Sequence, residues 1–206
     1  MKKRNLFIVI LSFAIVSSML LSTGVSAYAD GRIFPDVPDG AYYSDAVNTL
    51  YEVGIFTGDS KGNFNPNKTL SRAELATIVC KIHEVEDEVR AHTTGAPFTD
   101  VPDNQWYTGY VFMAAGLGFV SGYSDGRFGP NDPVTYDQAV TIIVRAWGYD
   151  WMAYESGLSY PDAYLSTAKE LGFLNGISGA YGKPMARKDL AVLVNNMLDT
   201  EQFFPE

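Results

Sequence analysis

The sequence predicts an all-α protein built from three helix–loop–helix repeats that share one core. Three observations predict it. A block of motifs recurs at a constant offset of 64 residues. Apolar residues inside each block fall at helical spacing. Glycine- and asparagine-rich turn segments separate the helical stretches. Self-similarity at a period of this length is the mark of repeat architectures.

The chain opens on an address rather than on fold. Lys2, Lys3 and Arg4 precede a run from Leu6 to Leu21 broken only by serines, and Val25-Ser26-Ala27 and Ala27-Tyr28-Ala29 follow as small-residue cleavage patterns. This is the layout of a secretory signal peptide over residues 1–29. The apolar run has 16 positions, short of the ~20 that a membrane span needs. We therefore expect cleavage after Ala27 or Ala29 and no stable membrane insertion afterwards. With Cys80 the single cysteine, no intrachain disulfide and no lipoprotein anchor is expected.

The 206 residues are 47% hydrophobic, which excludes a mostly disordered chain, and carry 15 basic against 24 acidic residues. Loss of the three N-terminal positive charges would take the net charge from −9 to −12. That balance argues against a nucleic-acid partner.

The first two repeats match feature by feature. Phe34-Pro-Asp-Val-Pro-Asp39 returns as Phe98-Thr-Asp-Val-Pro-Asp103, and Tyr42-Tyr43 becomes Trp106-Tyr107. Gly54-Ile-Phe-Thr-Gly58 becomes Gly118-Phe-Val-Ser-Gly122, and Gly62-Asn-Phe64 becomes Gly126-Arg-Phe128. Ser71-Arg-Ala-Glu74 becomes Thr135-Tyr-Asp-Gln138. A third copy is shorter by 11 residues between its opening and its motif: Tyr160-Pro-Asp162 stands for the opening, Gly172 to Gly176 for the glycine pair, and Ala186-Arg-Lys-Asp189 for the later motif. The expected divisions are residues 30–97 for repeat 1 and its linker, 98–159 for repeat 2 and its linker, and 160–206 for a degenerate repeat 3 with the C-terminal tail. The linkers at Val85 to Pro97 and Gly148 to Ser159 read as acidic, polar and solvated.

Within repeat 1, Ala46, Val47, Leu50 and Val53 mark a helix from Ser44, and Gly54 suits its C-terminal stop. Gly58 to Thr69 is a loop of turn formers. Ser71 with Glu74 forms a capping box that starts the second helix, Thr135 with Gln138 repeats it, and Ala186 cannot cap by side chain. The second helices are apolar nearly all round, which places them in a common core. Cys80 and His83 lie one turn apart but read as core residues. Asp36 and Asp100 read as turn or cap residues, and Asp59 to Gly62 as a turn without the ligand spacing of a calcium loop. No His-Glu-x-x-His or phosphate loop is present, and no catalytic residue, metal or cofactor is expected.

Phe-x-Asp-Val, the aromatic pair, Gly-Ile-Phe-x-Gly, Gly-x-Phe-x-Pro and Ser-Arg-Ala-Glu together resemble the S-layer homology (SLH) repeat, over about Ile33 to Thr200. The resemblance implies a pseudo-threefold, three-pronged arrangement around a central helical bundle. It also implies a secreted, non-catalytic module of the bacterial cell wall or S-layer. Such a module docks on an anionic, pyruvylated secondary cell-wall polysaccharide, or a peptidoglycan-linked glycan, in grooves between repeats. The family's motif arginine falls on Arg72 and Arg187, with Tyr136 in its place in the second copy. A carboxylate partner suits guanidinium, which binds it bidentately, and the helix N-terminus would add free N–H groups. Glu74 belongs to the same motif. Gly58 and Gly122 are expected to let ligand approach the backbone, Tyr42 and Trp106 to pack on sugar faces, and Arg127 and Lys68 to add local positive charge. The alternative is a structural or adaptor role, in which the same repeats hold another envelope protein or self-assemble.

Overall fold

The structure, a computed structural model, describes residues 32–203; the expected signal peptide at residues 1–29 lies outside the described residues. The described residues are helical, with no strand. Repeat 1 supplies α1 (Ser44–Glu52) and α2 (Arg72–Ile82), and α3 (Glu86–Ala91) follows in the first linker. Repeat 2 supplies α4 (Thr108–Gly116) and α5 (Tyr136–Ala146), with α6 (Asp150–Glu155) in the second linker. Repeat 3 supplies α7 (Asp162–Glu170) and α8 (Arg187–Leu198).

The main helix pairings run between repeats. The first helix of each lies against the second helix of the repeat before it: α4 on α2, α7 on α5 and, closing the ring, α1 on α8. The second helices form the centre, with α5 touching both α2 and α8. Leu75, Ala76 and Val79, then Val140, Ile143 and Val144, then Leu190, Leu193 and Met197 are fully buried there. One repeat of two helices could not cover that surface alone. Single bridges join the segments that enter these helices: Ser71 with Pro133, Thr135 with Pro184, and Thr69 with Ala186. Each repeat is thus stitched to the next, and the third to the first.

Both predicted capping boxes are formed, at Ser71/Glu74 and Thr135/Gln138, and Ala186 gives no side-chain cap. The opening aspartates hold the glycine-rich loops. Asp36 accepts the Phe64 and Asn65 N–H groups at 2.8 and 2.7 Å, and Asp100 accepts those of Phe128 and Gly129 at 2.7 and 2.8 Å.

Two expectations are corrected. Tyr160-Pro161 enters α7 as Tyr42-Tyr43 enters α1 and Trp106-Tyr107 enters α4. Tyr160 to Asp162 therefore corresponds to the aromatic pair, and the Phe-x-Asp opening has no counterpart in repeat 3. Asp137 of repeat 2, buried, stands in by accepting the Gly182 N–H at 2.8 Å. The linkers are not plain solvated segments either. Glu86, Asp87 and Glu88 occupy the first turn of α3, where carboxylates oppose the positive end of the helix. The apolar anchors Val89 and Ala153 are buried, and α3 and α6 pack on α4 and α7.

Candidate groove between repeats

The sequence places one motif residue at the first position of each second helix: Arg72, Tyr136 and Arg187. The capping box fixes the turn at Ser71, and the backbone there pairs with the next repeat's loop. The Arg72 and Ala73 N–H groups donate to Asp132 O and Pro130 O at 3.0 and 3.1 Å. Those of Arg187 and Lys188 donate to Lys68 O and Pro66 O at 2.8 and 3.0 Å, and Tyr136 N–H donates to Lys183 O at 2.8 Å. The first-turn N–H groups expected to meet an anion are therefore already occupied. An anion at the Arg72 and Arg187 junctions does not meet these N–H groups.

With the backbone docked in this way, the motif side chain enters the neighbouring loop. Arg72 is only 4% exposed. Its Nε donates to Phe128 O and its Nη2 to Ser121 O, each at 2.7 Å. The guanidinium lies 4.7 Å from the Phe128 ring centre and 4.9 Å from that of Tyr123. Arg187 repeats the pose between repeats 3 and 1, donating from Nη2 to Thr57 O at 2.7 Å and lying over Phe56 and Phe64. Its buried Nε has no hydrogen-bond partner among the described residues. Neither arginine has a carboxylate within ion-pair distance among the described residues, and burial holds both guanidinium pKa values below the usual arginine range.

The junction between repeats 2 and 3 has changed on both sides. Phe64 and Phe128 each stand seven residues before the capping position, and Gly179 stands at that place in repeat 3. A Cβ on Gly179 would fall 2.1 Å from Tyr136 Cδ2. The Tyr136 ring thus occupies the volume that a phenylalanine fills elsewhere. An arginine on phenylalanine has become a tyrosine on glycine.

The Arg72 junction opens into a groove of about 700 Å³ whose walls include Arg72, Ser121, Tyr123, Gln138, Arg145 and Tyr160. Arg145, in the last turn of α5, donates from Nη1 to Ser121 Oγ at 3.2 Å, so both guanidinium groups converge on Ser121. Arg145 also bonds Tyr164 and pairs with Asp150 at 3.3 Å. Sequence reasoning missed Arg145, Ser121, Tyr123 and Tyr160. Ser121 had a visible signal, its place inside the glycine pair. Arg145 had only the ordinary pattern of a basic residue closing a helix.

The other expected site residues are distributed differently. Gly122 lines the groove, but a Cβ there would lie 2.6 Å from Phe98 Cε1, and one on Gly58 would lie 2.9 Å from Phe34 Cε1. Both glycines make room for their own repeat's phenylalanine. Arg127 is exposed and tied to Asp125 at 2.8 Å, and Lys68 to Glu74 at 2.6 Å. Their charges are neutralised locally. Glu74 and Trp106 share a separate hollow of about 330 Å³. Tyr42 is exposed and donates to Asp189 of repeat 3. Cys80 is buried and His83 stacks on Phe119 while bonding Ala146 O at 2.8 Å, the core roles expected for them. Among the described residues, no group of three or more His, Cys, Asp or Glu is placed to hold a metal ion, and no helix is long and apolar enough to cross a membrane.

A ring of three helical repeats, each plugging a motif side chain into the loop of the next, defines a class of inter-repeat docking modules. The chain carries two S-layer homology domains, whose family model matches residues 33–76 and 97–140; α7 and α8 complete the ring beside them. It is 32% identical over 197 residues to the cell surface protein of Thermoanaerobacter kivui, a match covering 95% of this chain and 24% of that one. It is 30% identical over 169 residues to the surface layer protein of Brevibacillus choshinensis, covering 82% and 15%. It is 31% identical over 222 residues to the surface-layer 125 kDa protein of Lysinibacillus sphaericus, covering 100% and 18%. The chain spans a quarter or less of the length of these relatives. It is a protein of the bacterial cell envelope.

Proposed function

We propose that the chain is a non-catalytic anchor that holds to cell-wall polysaccharide through the groove at Arg72, and that the ligand is an anionic glycan whose carboxylate is that of a pyruvyl ketal. The observation that carries this reading is a buried arginine, Arg72, bordering an open groove with no carboxylate at ion-pair distance among the described residues. A buried charge is costly unless paired. Two carbonyls and two aromatic faces hold Arg72 in place, with Asp132 and Asp100 near enough to act on its charge but not to pair with it directly. A ligand carboxylate would supply a direct ion pair, and in a partly desolvated groove that pairing is strong.

Arg145 and Ser121 add donors on the same wall, and Tyr123 and Tyr160 offer apolar faces to a sugar ring. Arg187 supports a second, smaller contact of the same kind between repeats 3 and 1. The junction at Tyr136 carries no cation at the motif position and takes no part. The net negative charge of the chain repels an anionic polymer at long range, so recognition is local and acts at short distance.

The test is sedimentation of the protein with isolated walls before and after mild acid hydrolysis of pyruvyl ketals. Binding lost on hydrolysis supports the reading. Binding unchanged by hydrolysis rejects the ketal, and absence of binding to untreated walls rejects the anchor.

A further inference from the structure

The two linker helices occupy equivalent places but meet solvent differently. Residues 86–91 and 150–155 correspond at the repeat offset of 64, and one buried residue anchors each helix, Val89 in α3 and Ala153 in α6. One turn apart on its exposed side, α3 carries Asp87 and Arg90, which pair with each other at 2.9 Å. At the same two positions α6 carries Trp151 and Tyr154, 40% and 71% exposed. A charged pair is what a solvated helix face ordinarily shows, whereas adjoining exposed aromatic rings mark a contact surface.

The tail extends this aromatic face. Phe203, also exposed, lies 5.3 Å from the Trp151 ring and 6.0 Å from that of Tyr149, centre to centre. Tyr149 in turn meets the buried Phe173 edge-on. Trp147 Nε1 donates to Thr200 O at 2.8 Å, the Tyr149 hydroxyl to Glu201 O at 2.7 Å and the Phe203 N–H to Trp147 O at 3.1 Å. Gly148 permits this approach, since a Cβ there would fall 1.9 Å from Phe203 O. The rings are thus fixed before any partner arrives, which lowers the entropy cost of docking. Trp151, Tyr154 and Phe203 line neither the Arg72 groove nor the hollow at Trp106.

Charge selects the occupant. Glu155 follows Trp151 by four residues on the same helix face. Burial and the Glu201 charge together raise the Tyr149 phenol above its usual range, which places that carboxylate beside the face. Neither Glu155 nor Glu201 has a cation at ion-pair distance among the described residues, and Arg145, which reaches α6, is paired with Asp150. A second copy of the chain would crowd four carboxylates around the rings, which opposes self-association. A basic side chain is attracted by ring faces and carboxylates alike, and the net negative charge of the chain draws it in at long range.

We propose that Trp151, Tyr154 and Phe203 form a docking face for a basic segment of another protein, whose lysine or arginine side chains lie over the rings and pair with Glu155 and Glu201. This face is separate from wall binding through Arg72 and does not depend on it.

The test is a titration with hexa-arginine at about 0.15 M salt, followed by the ¹⁵N signals of the tryptophan indole N–H groups. The expected result is a saturable shift of the Trp151 signal with the Trp106 signal fixed, and no shift with hexa-glutamate. The double variant Trp151→Asp, Tyr154→Arg gives α6 the charged pair of α3 without changing the net charge, and so separates the face from general attraction. Circular dichroism checks its fold. Peptide affinity, read by fluorescence anisotropy, should weaken about 5- to 30-fold in this variant and in Glu155→Gln, Glu201→Gln. A Trp151 signal that stays fixed, or binding as tight as wild type in either double variant, overturns the docking face. A wild-type dimer in sedimentation that Trp151→Asp, Tyr154→Arg abolishes also overturns it, by assigning the face to a second copy.

Discussion

Replacing Gly179 by alanine tests the interlock between repeats. The new methyl would fall 2.1, 2.4 and 2.5 Å from the Tyr136 carbons Cδ2, Cγ and Cε2, far inside carbon–carbon contact distance. The ring is 9% exposed, and its backbone is held by Lys183 O at 2.8 Å, so it cannot step aside freely. Overpacking of this kind costs about 1–3 kcal/mol, which for a domain of this size lowers Tm by roughly 2–12 °C. Thermal unfolding followed by circular dichroism reads it directly, with Ser178→Ala as a neighbouring control. The same glycine substitution made in a Tyr136→Ala background meets no ring and should cost little. A Gly179→Ala protein as stable as wild type, or an equal loss in both backgrounds, would refute the account of this junction.

Further outcomes are expected elsewhere. Asp100→Ala removes the carboxylate that accepts two loop N–H groups and should destabilise by roughly 1.5–3 kcal/mol or more in urea unfolding. Burial holds the His83 pKa below its usual value. The unfolded chain therefore binds a proton that the folded one resists, and stability should fall as pH drops below about 6.5. His83→Phe should flatten that part of the pH profile. Burial pushes the Cys80 thiol up to about 12, so the folded protein should resist thiol reagents at pH 8 and react only on unfolding.

Much of the fold is visible in the residues because each repeat writes the same local instructions. The capping boxes at Ser71 and Thr135, the stop at Gly54 and the apolar faces of the second helices are short-range signals, and all are realised. The order of packing is not short-range. Nothing near Arg72 says that it enters the loop around Ser121 and Phe128, 49 and 56 residues away. Tyr136 reads as a lost arginine until Gly179 is set beside Phe64 and Phe128, and that pairing is visible only when the repeats are counted back from their motifs. Arg145 looks like any cation closing a helix, because its convergence on Ser121 arises only once repeat 2 has folded. The linker helices α3 and α6 were hidden by their acidic composition, since single buried anchors, Val89 and Ala153, are weak signals by themselves.

The most direct measurement is wall binding by wild type, Arg72→Gln, Arg187→Gln and the double variant, each first shown to be folded by circular dichroism. Loss of a charge-assisted contact of about 1.5–3 kcal/mol weakens binding roughly 10- to 150-fold. The account predicts a loss of that size for Arg72→Gln, a smaller one for Arg187→Gln, and no added loss when the walls have already been stripped of pyruvyl ketals. Folded variants that bind untreated walls as tightly as wild type would contradict it.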